Sequence, residues 1–302
     1  MIRYGTNPIA WTNDDDHTLG DHISLETCLS DAAAIGFDGI EKGRKFPADP
    51  ETLRSTLAAH GLDFVSGWHS LNLLTHSVEA EKAAIAPHLA LLKHCGCSVV
   101  IVCETSNAIH GDPAAPLSAS PRLPADAWPK FCADVEAIAE HCAAEGLTLA
   151  YHHHTGTVVE TPDEVAAFMA NAGPKTRLLF DTGHYLVGGG DPTEGAARYM
   201  DRTVHIHTKN VRPAVMAEAH EKGFSFLDAV RHGIFTVPGD PEGGIDFLPV
   251  LKTAAAHNYD GWLVVEAEQD PDVRNPRKYQ TLGHDTLRTL ARDAGLDRSG
   301  NA

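Results

Sequence analysis

Residues 33–41 read Ala33-Ala34-Ile35-Gly36-Phe37-Asp38-Gly39-Ile40-Glu41. The alanine-rich run suits a helix, Gly36 supplies a left-handed stop, and a short apolar strand ending on a carboxylate follows at once. The same phrase returns as Ala-Ala-His-Gly-Leu-Asp-Phe-Val at 58–65 and Lys-His-Cys-Gly-Cys-Ser-Val-Val at 93–100. It returns again as Ala-Ala-Glu-Gly-Leu-Thr-Leu-Ala at 143–150 and Ala-Ala-His-Asn-Tyr-Asp-Gly-Trp at 255–262, where Asn258 replaces the glycine. Repeated helix-to-strand joints mean successive βα units and a parallel sheet.

Strand runs fall near 3–7, 38–41, 63–67, 98–103, 147–152, 176–181, 203–207 and 262–266. About eight such strands are what a closed α/β barrel needs. Continuous apolar runs such as Val99-Val100-Ile101-Val102 and Trp262-Leu263-Val264-Val265 fit strands buried on both faces. The intervening helices are amphipathic: Leu25, Cys28, Leu29 and Ala32 share a face, as do Phe131, Val135, Ile138 and Cys142. The expected fold is a single (β/α)8 barrel over 1–296, with 297–302 as a C-terminal tail. Residues 104–124, with Pro113, Pro116, Pro121 and Pro124, read as a long rim loop. Residues 208–245 hold a short helical pattern and then Val-Pro-Gly-Asp-Pro-Glu-Gly-Gly, a second rim loop.

Of 302 residues, 43% are hydrophobic and 22% charged, ordinary values for a globular protein. The formal net charge is -17, from 24 basic and 41 acidic residues, which argues against a phosphate-backbone partner. No apolar stretch approaches the ~20 residues of a membrane helix, and no signal-peptide pattern precedes the first strand. The expectation is a cytoplasmic protein without nucleic-acid or membrane partners. The six cysteines then read as reduced thiols, and Cys95-Gly96-Cys97 lacks the spacer of common zinc or redox motifs.

Four polar clusters end strands in the second half: His152-His153-His154, Asp181-Thr182-Gly183-His184, His205-Ile206-His207-Thr208-Lys209, and Glu266. C-terminal strand ends of a barrel converge on one rim, where imidazoles and carboxylates together suit a divalent metal. Asp181 alone would read as a helix N-cap. His205 and His207 share one strand face, with His207 nearer the end and the better ligand. Glu266 ends an apolar run, and Glu268 nearby is its competitor for the role. Alternation sends His152 and His154 to one side and His153 to the other, so His152 and His154 read as ligand and base, or one of them as a hydrogen-bond partner.

Asn7, Glu41 and Glu104 also end strands, and Trp68-His69 offers a flat wall and a donor. These five form a candidate hydroxyl-reading ring, or else local caps. His60, His88, His94, His141 and His257 fall on helices or their ends and read as solvated or dipole-facing.

These motifs resemble the xylose-isomerase-like barrel superfamily, and within it the inosose dehydratase family. The resemblance runs from Tyr4 to Leu296. It rests on Gly5-Thr6-Asn7-Pro8-Ile9, Lys45-Phe46-Pro47, Tyr151-His152-His153-His154, Gly156-Thr157-Val158-Val159-Glu160, Asp181-Thr182-Gly183-His184 and Phe235-Thr236-Val237-Pro238-Gly239-Asp240. The last strand adds Val265-Glu266-Ala267-Glu268. The resemblance implies a metal held by His152, Asp181, His207 and Glu266, with His152 standing where the superfamily usually has Glu. It implies His154 and Lys209 as catalytic groups, with His184 beside them. Mn2+ or Co2+ is the expected metal, Zn2+ or Mg2+ the alternatives, and an association with glutathione is implied by the family alone. The expected substrate is a cyclitol ketone, 2-keto-myo-inositol, which loses water to give a trihydroxycyclohexane-1,2-dione. A keto-sugar or keto-polyol isomerase or epimerase would start with the same proton removal. The family is also compatible with a homo-oligomer.

Overall fold

The structure, a computed structural model, describes residues 2–297. Its strands are β1 (Arg3–Thr6), β2 (Gly39–Ile40), β3 (Asp63–Phe64), β4 (Trp68–Leu71), β5 (Val99–Glu104) and β6 (Thr148–His152). They continue with β7 (Arg177–Asp181), β8 (Thr203–His207), β9 (Asn210–Val211), β10 (Phe235–Thr236) and β11 (Trp262–Val265). The main sheet runs β3-β2-β1-β11-β8-β7-β6-β5-β4, and its pairings are parallel.

The two ends of that order, β3 and β4, are consecutive in the chain. The expected third strand at 63–67 is therefore interrupted and runs on to Leu71. Its first part pairs with β2, and its second part pairs with β5. Ser66 makes the crossing: its carbonyl accepts from Lys42 N at 2.9 Å and its Oγ donates to the Val99 carbonyl at 2.8 Å. With β3 and β4 taken as one stave, the sheet closes as an eight-stave barrel.

The helix stops behave as the sequence requires. Gly36, Gly61, Gly96 and Gly146 all have positive φ, and Asn258 (φ 53°) is the non-glycine that does so among the described residues. The expected helix faces turn inward: Cys28, Leu29 and Ala32 are buried with Leu25 half-buried on one, and Phe131, Val135, Ile138 and Cys142 are buried on another. Each large apolar side chain so buried contributes ~1.5–3 kcal/mol.

Inside the barrel, Val99, Ile101, Ala150 and Leu179 form a small apolar layer. Two residues further along the same strands the period-two alternation presents His152 and Asp181 on the same side. The polar site thus rests on a packed apolar floor.

The second rim loop holds more structure than expected. β9 and β10 form an antiparallel pair, with helices Pro213–Lys222 and Phe226–His232 between them. The Arg212 guanidinium locks this unit, donating to the Gly233 and Phe235 carbonyls (2.7 and 2.9 Å) and to Asp240 (2.6 Å). The loop at 104–124 leans on the same unit through Leu117 N to Phe224 O at 2.8 Å. Of the expected tail, Asp297 is buried and accepts from the Tyr4 hydroxyl at 2.9 Å, while 298–302 lie outside the described residues. The six cysteines are free thiols. No helix among the described residues is long and apolar enough to cross a membrane.

Candidate metal centre and active site

A cavity of about 350 Å³ opens at the C-terminal ends of the strands. That volume suits one small ring-sized molecule. His152, His207 and Glu266 line its floor, with His154, Trp68, Asn7 and Glu41 on its walls.

His152, Asp181, His207 and Glu266 present ligand atoms within 4.8 Å of one another, and all four are buried. Asp181 uses its two oxygens differently. Oδ1 caps helix Thr182–Val187, accepting from Gly183 N and His184 N at 2.8 and 2.9 Å. Oδ2 points into the cluster and has no hydrogen-bond partner. Oδ1 thus takes the role of the cap, and Oδ2 is the oxygen left to face the cluster.

His207 is divided in the same way. Nε2 is held by Glu41 Oε1 at 3.1 Å, while Nδ1 faces Asp181 Oδ2 at 3.4 Å and contacts Glu266 Oε2. His207 Nδ1 and Glu266 Oε2 lack hydrogen-bond partners of good geometry. His152 donates Nδ1–H to the His153 carbonyl at 2.6 Å, which leaves Nε2 unprotonated, 3.8 Å from Asp181 Oδ2.

Three buried ligand atoms that converge on one point without a well-formed hydrogen bond are costly unless a cation joins them. Charge counts the same way. Glu41, Asp181, Glu266 and Glu268 are buried around a single buried ammonium, Lys209. Burial opposes a charge on His207, yet the Glu266 and Glu41 carboxylates outweigh it and hold the imidazole well above its ordinary range. Burial likewise opposes ionisation of Asp181, but Lys209 and His207 pull its carboxyl down to about 2. The residues present therefore fit a divalent cation, with two imidazole nitrogens and two carboxylates.

Beside this cluster, His154 donates Nδ1–H to the Thr155 carbonyl at 2.8 Å. Its Nε2 makes no hydrogen bond among the described residues, and the ring lines the cavity. His184 does not line the cavity. It lies behind His154 with ring centroids 3.8 Å apart. Its nitrogens are taken up by Thr155 Oγ1 at 2.9 Å and by Lys209 Nζ at 2.8 Å. Lys209 is also fully buried, donating to Glu268 at 2.8 Å, 3.7 Å from Asp181 Oδ2 and Glu266 Oε2.

The expected hydroxyl-reading ring divides. Trp68 forms a wall, its ring edge-on to His152 and His154 at 5.5 and 5.6 Å. Asn7 and Glu41 line the cavity but spend much of their capacity on each other, Asn7 Nδ2 donating to Glu41 Oε2 at 2.7 Å. Glu41 also accepts from His205 at 2.8 Å, so His205 is the packed histidine of its strand. His69 and Glu104 are corrections. His69 follows Trp68 on the opposite face of β4 and stacks on His88 at 5.7 Å. His88 in turn is pinned to the Gly67 carbonyl at 3.0 Å rather than solvated. Glu104 ties two loops, accepting from Leu73 N at 2.7 Å and Ser106 N at 2.8 Å.

With this geometry the comparisons agree. The family profile described as xylose isomerase-like TIM barrel matches residues 29–290. The chain belongs to the xylose isomerase-like TIM barrel family. Among curated members of that family's neighbourhood, it is 44% identical over 295 residues to the rhizopine catabolism protein MocC of Rhizobium meliloti, covering 98% of this chain and 90% of that protein. It is 38% identical over 289 residues to an inosose dehydratase of Geobacillus thermodenitrificans, covering 95% of this chain and 96% of the relative. A crystal structure of the IOLI protein with a bound zinc atom shares the fold, with TM-score 0.68 and 14% identity over 97% of this chain and 99% of that one.

Within this family fold, several cavity residues carried no readable signal. Asp14, Asp15, Lys42, Arg44, Ser70 and His110 line the cavity from loops or from β4. Lys42 and Arg44 follow Glu41 in an ordinary-looking polar loop. The register that pairs Thr6 with Ile40 is what brings that loop to the same rim as Asn7. His110 sits in the proline-rich segment, where the loop itself was legible but its inward histidine was not.

Proposed function

We propose that this chain is a divalent-metal-dependent dehydratase that removes water from 2-keto-myo-inositol to give a trihydroxycyclohexane-1,2-dione in inositol catabolism. The observation that carries the proposal is the free Nε2 of His154 in the same small cavity as the His152-Asp181-His207-Glu266 cluster. Relatives of nearly the same length as this chain bear the name inosose dehydratase. A divalent cation in that cluster supplies Lewis acidity at a substrate oxygen and lowers the cost of removing the neighbouring proton. Mn2+ or Co2+ suits the mixed nitrogen and oxygen donor set, with Zn2+ and Mg2+ as competitors.

His154 is the base. Its Nδ1–H is committed to the Thr155 carbonyl, so Nε2 carries the acceptor lone pair. Burial, helped by His110, His152 and Lys209, keeps the ring neutral and its pKa well below the ordinary value. The ring of His184, tilted by 39° and packed against it at 3.8 Å, limits its rotation. Burial opposes the charge on Lys209, but Glu266, Glu268 and Asp181 hold it charged above the usual lysine range. Lys209 therefore acts from beneath, as the counter-charge of the carboxylates and the partner of His184. This makes Lys209 and His184 positioning residues, where the resemblance implies catalytic groups. Trp68 supplies an apolar face against which a cyclitol ring can lie.

Incubating metal-reconstituted protein with 2-keto-myo-inositol, followed by NMR and ultraviolet absorbance, tests the proposal. A conjugated dione is the expected product. An epimerised ketone would transfer the site to the isomerase reading, and unchanged substrate would refute both.

A further inference from the structure

Removal of water needs a proton for the departing oxygen as well as a base for carbon. Lys209 and His184 do not line the cavity, as shown above. The cavity walls hold a second histidine that no role yet accounts for. His110 lines the cavity from the loop after β5, its ring centroid 5.0 Å from that of His154. Its Nδ1 is buried without a hydrogen-bond partner, and its Nε2 lies 3.9 Å from Asp15 Oδ1. Asp15 lines the same cavity from the loop after β1.

The position of His110 is built in. Ile109 N donates to the Gly156 carbonyl at 2.8 Å, and Gly156 has φ +81°. A Cβ on Gly156 would crowd His110 N at 3.0 Å and sit on a left-handed backbone, so glycine is the residue that lets the two loops close without strain. Phe226 of the second rim loop packs against both rings, at 6.2 Å from His110 and 5.5 Å from His154. Three separate segments thus hold two imidazoles side by side against one small cavity.

We propose that His110 is the general acid of the dehydration, with the Asp15 carboxyl facing its Nε2, and paired with His154 as base. This role rests on the dehydratase reading. The balance is closed. His154 Nε2 takes the α-hydrogen as a proton, and the C–H electrons form the new C=C bond. The β C–O bond breaks with its electrons on oxygen, and that oxygen takes a proton from His110 and leaves as water. His154 has then gained one proton and His110 has lost one, and one proton passed between the neighbouring rings restores both.

The test compares two substrates on the Mn2+-loaded protein: 2-keto-myo-inositol, and its analogue with fluorine in place of the departing β-hydroxyl. Fluoride leaves without needing a proton. His110→Ala should slow loss of water by ~10²–10⁴-fold, as removal of a general acid does. It should process the fluoro analogue within about tenfold of the parent, by the same reasoning. His154→Ala should be slow on both substrates. Asp15→Asn should repeat the pattern of His110→Ala more weakly, and metal content should match the parent in each case. If His110→Ala does not fold, His110→Gln keeps the bulk and carries the same comparison. Loss of water at the parent rate in the His110 variant overturns the role. So does an equal slowing on both substrates, which marks a purely structural residue. If the parent itself leaves 2-keto-myo-inositol unchanged, the dehydratase reading falls and the acid role falls with it.

Discussion

Glu41 grips His207 by its Nε2, at 3.1 Å, and so turns the ring's other nitrogen toward Asp181 and Glu266. A strand-end carboxylate that reads as a sugar contact is thereby also the orienting partner of a metal-facing imidazole. Burial works against the Glu41 charge, but His207 and His205 outweigh it and pull its carboxyl below the usual range.

Glu41→Gln should therefore weaken metal binding although Glu41 is not in the ligand cluster. Loss of an orienting partner costs ~10–100-fold in metal affinity. Calorimetric titration with Mn2+ reads this directly. Parent-like affinity would leave Glu41 as a substrate contact only.

The divided role of Asp181 separates two variants. Asp181→Asn keeps the helix-capping oxygen but removes a charged ligand, so metal should be lost with the fold retained. Asp181→Ala loses the cap as well and should be less stable than Asp181→Asn by ~1 kcal/mol. Elemental analysis and urea unfolding measure the two quantities. Full metal occupancy in Asp181→Asn would remove Asp181 from the ligand set.

His154 and Lys209 should fail in opposite ways. His154→Ala should lose turnover by ~10²–10⁴-fold while keeping its metal and its urea midpoint. Lys209→Ala strips the counter-charge from buried carboxylates and should lose ~3–5 kcal/mol of stability. A Lys209→Ala protein as stable as the parent would show that Lys209 is not the structural counter-charge described here.

His69 gives a pH signature away from the metal. Burial, with the nearby His88, lowers its pKa from 6.5 to about 4. The unfolded chain therefore binds a proton before the folded one does, and stability falls as pH drops from 6.5 toward 4. Above 6.5 both states are neutral and the contribution is level. His69→Asn should lose less melting temperature than the parent across that window. Identical slopes would mean that His69 is not held neutral by its surroundings.

The staves were legible because helix stop and strand start recur in the sequence, as at Gly36 and Gly146. The break in the third stave was not. Ser66-Gly67 reads as a strand end, and only its bonds to Val99 and Lys42 show that it passes the chain from one neighbour to the next. Among the candidate site residues, the strand-end cluster was readable because period-two alternation is local. Glu104 and His69 misled for a related reason. A strand-end carboxylate is as good a loop tie as a ligand, and a one-residue step moves a side chain to the other face.

Sequence by itself determined the barrel and the cluster. Both depend on repeated short-range patterns: a left-handed stop every unit, and polar residues at the ends of apolar strands. It also determined that His152 and His154 share a face, opposite His153. The folded structure decided which nitrogen or oxygen of each residue is free. Asp181 Oδ2, His207 Nδ1 and His154 Nε2 are available because a cap, Glu41 and the Thr155 carbonyl occupy the other atom of each. It alone placed His110 beside His154 from a loop of no regular period. The cap and the Thr155 carbonyl act on their own neighbours, but Glu41–His207 and His110–His154 join residues tens of positions apart or more, and barrel closure is what brings them within hydrogen-bond or ring-packing distance.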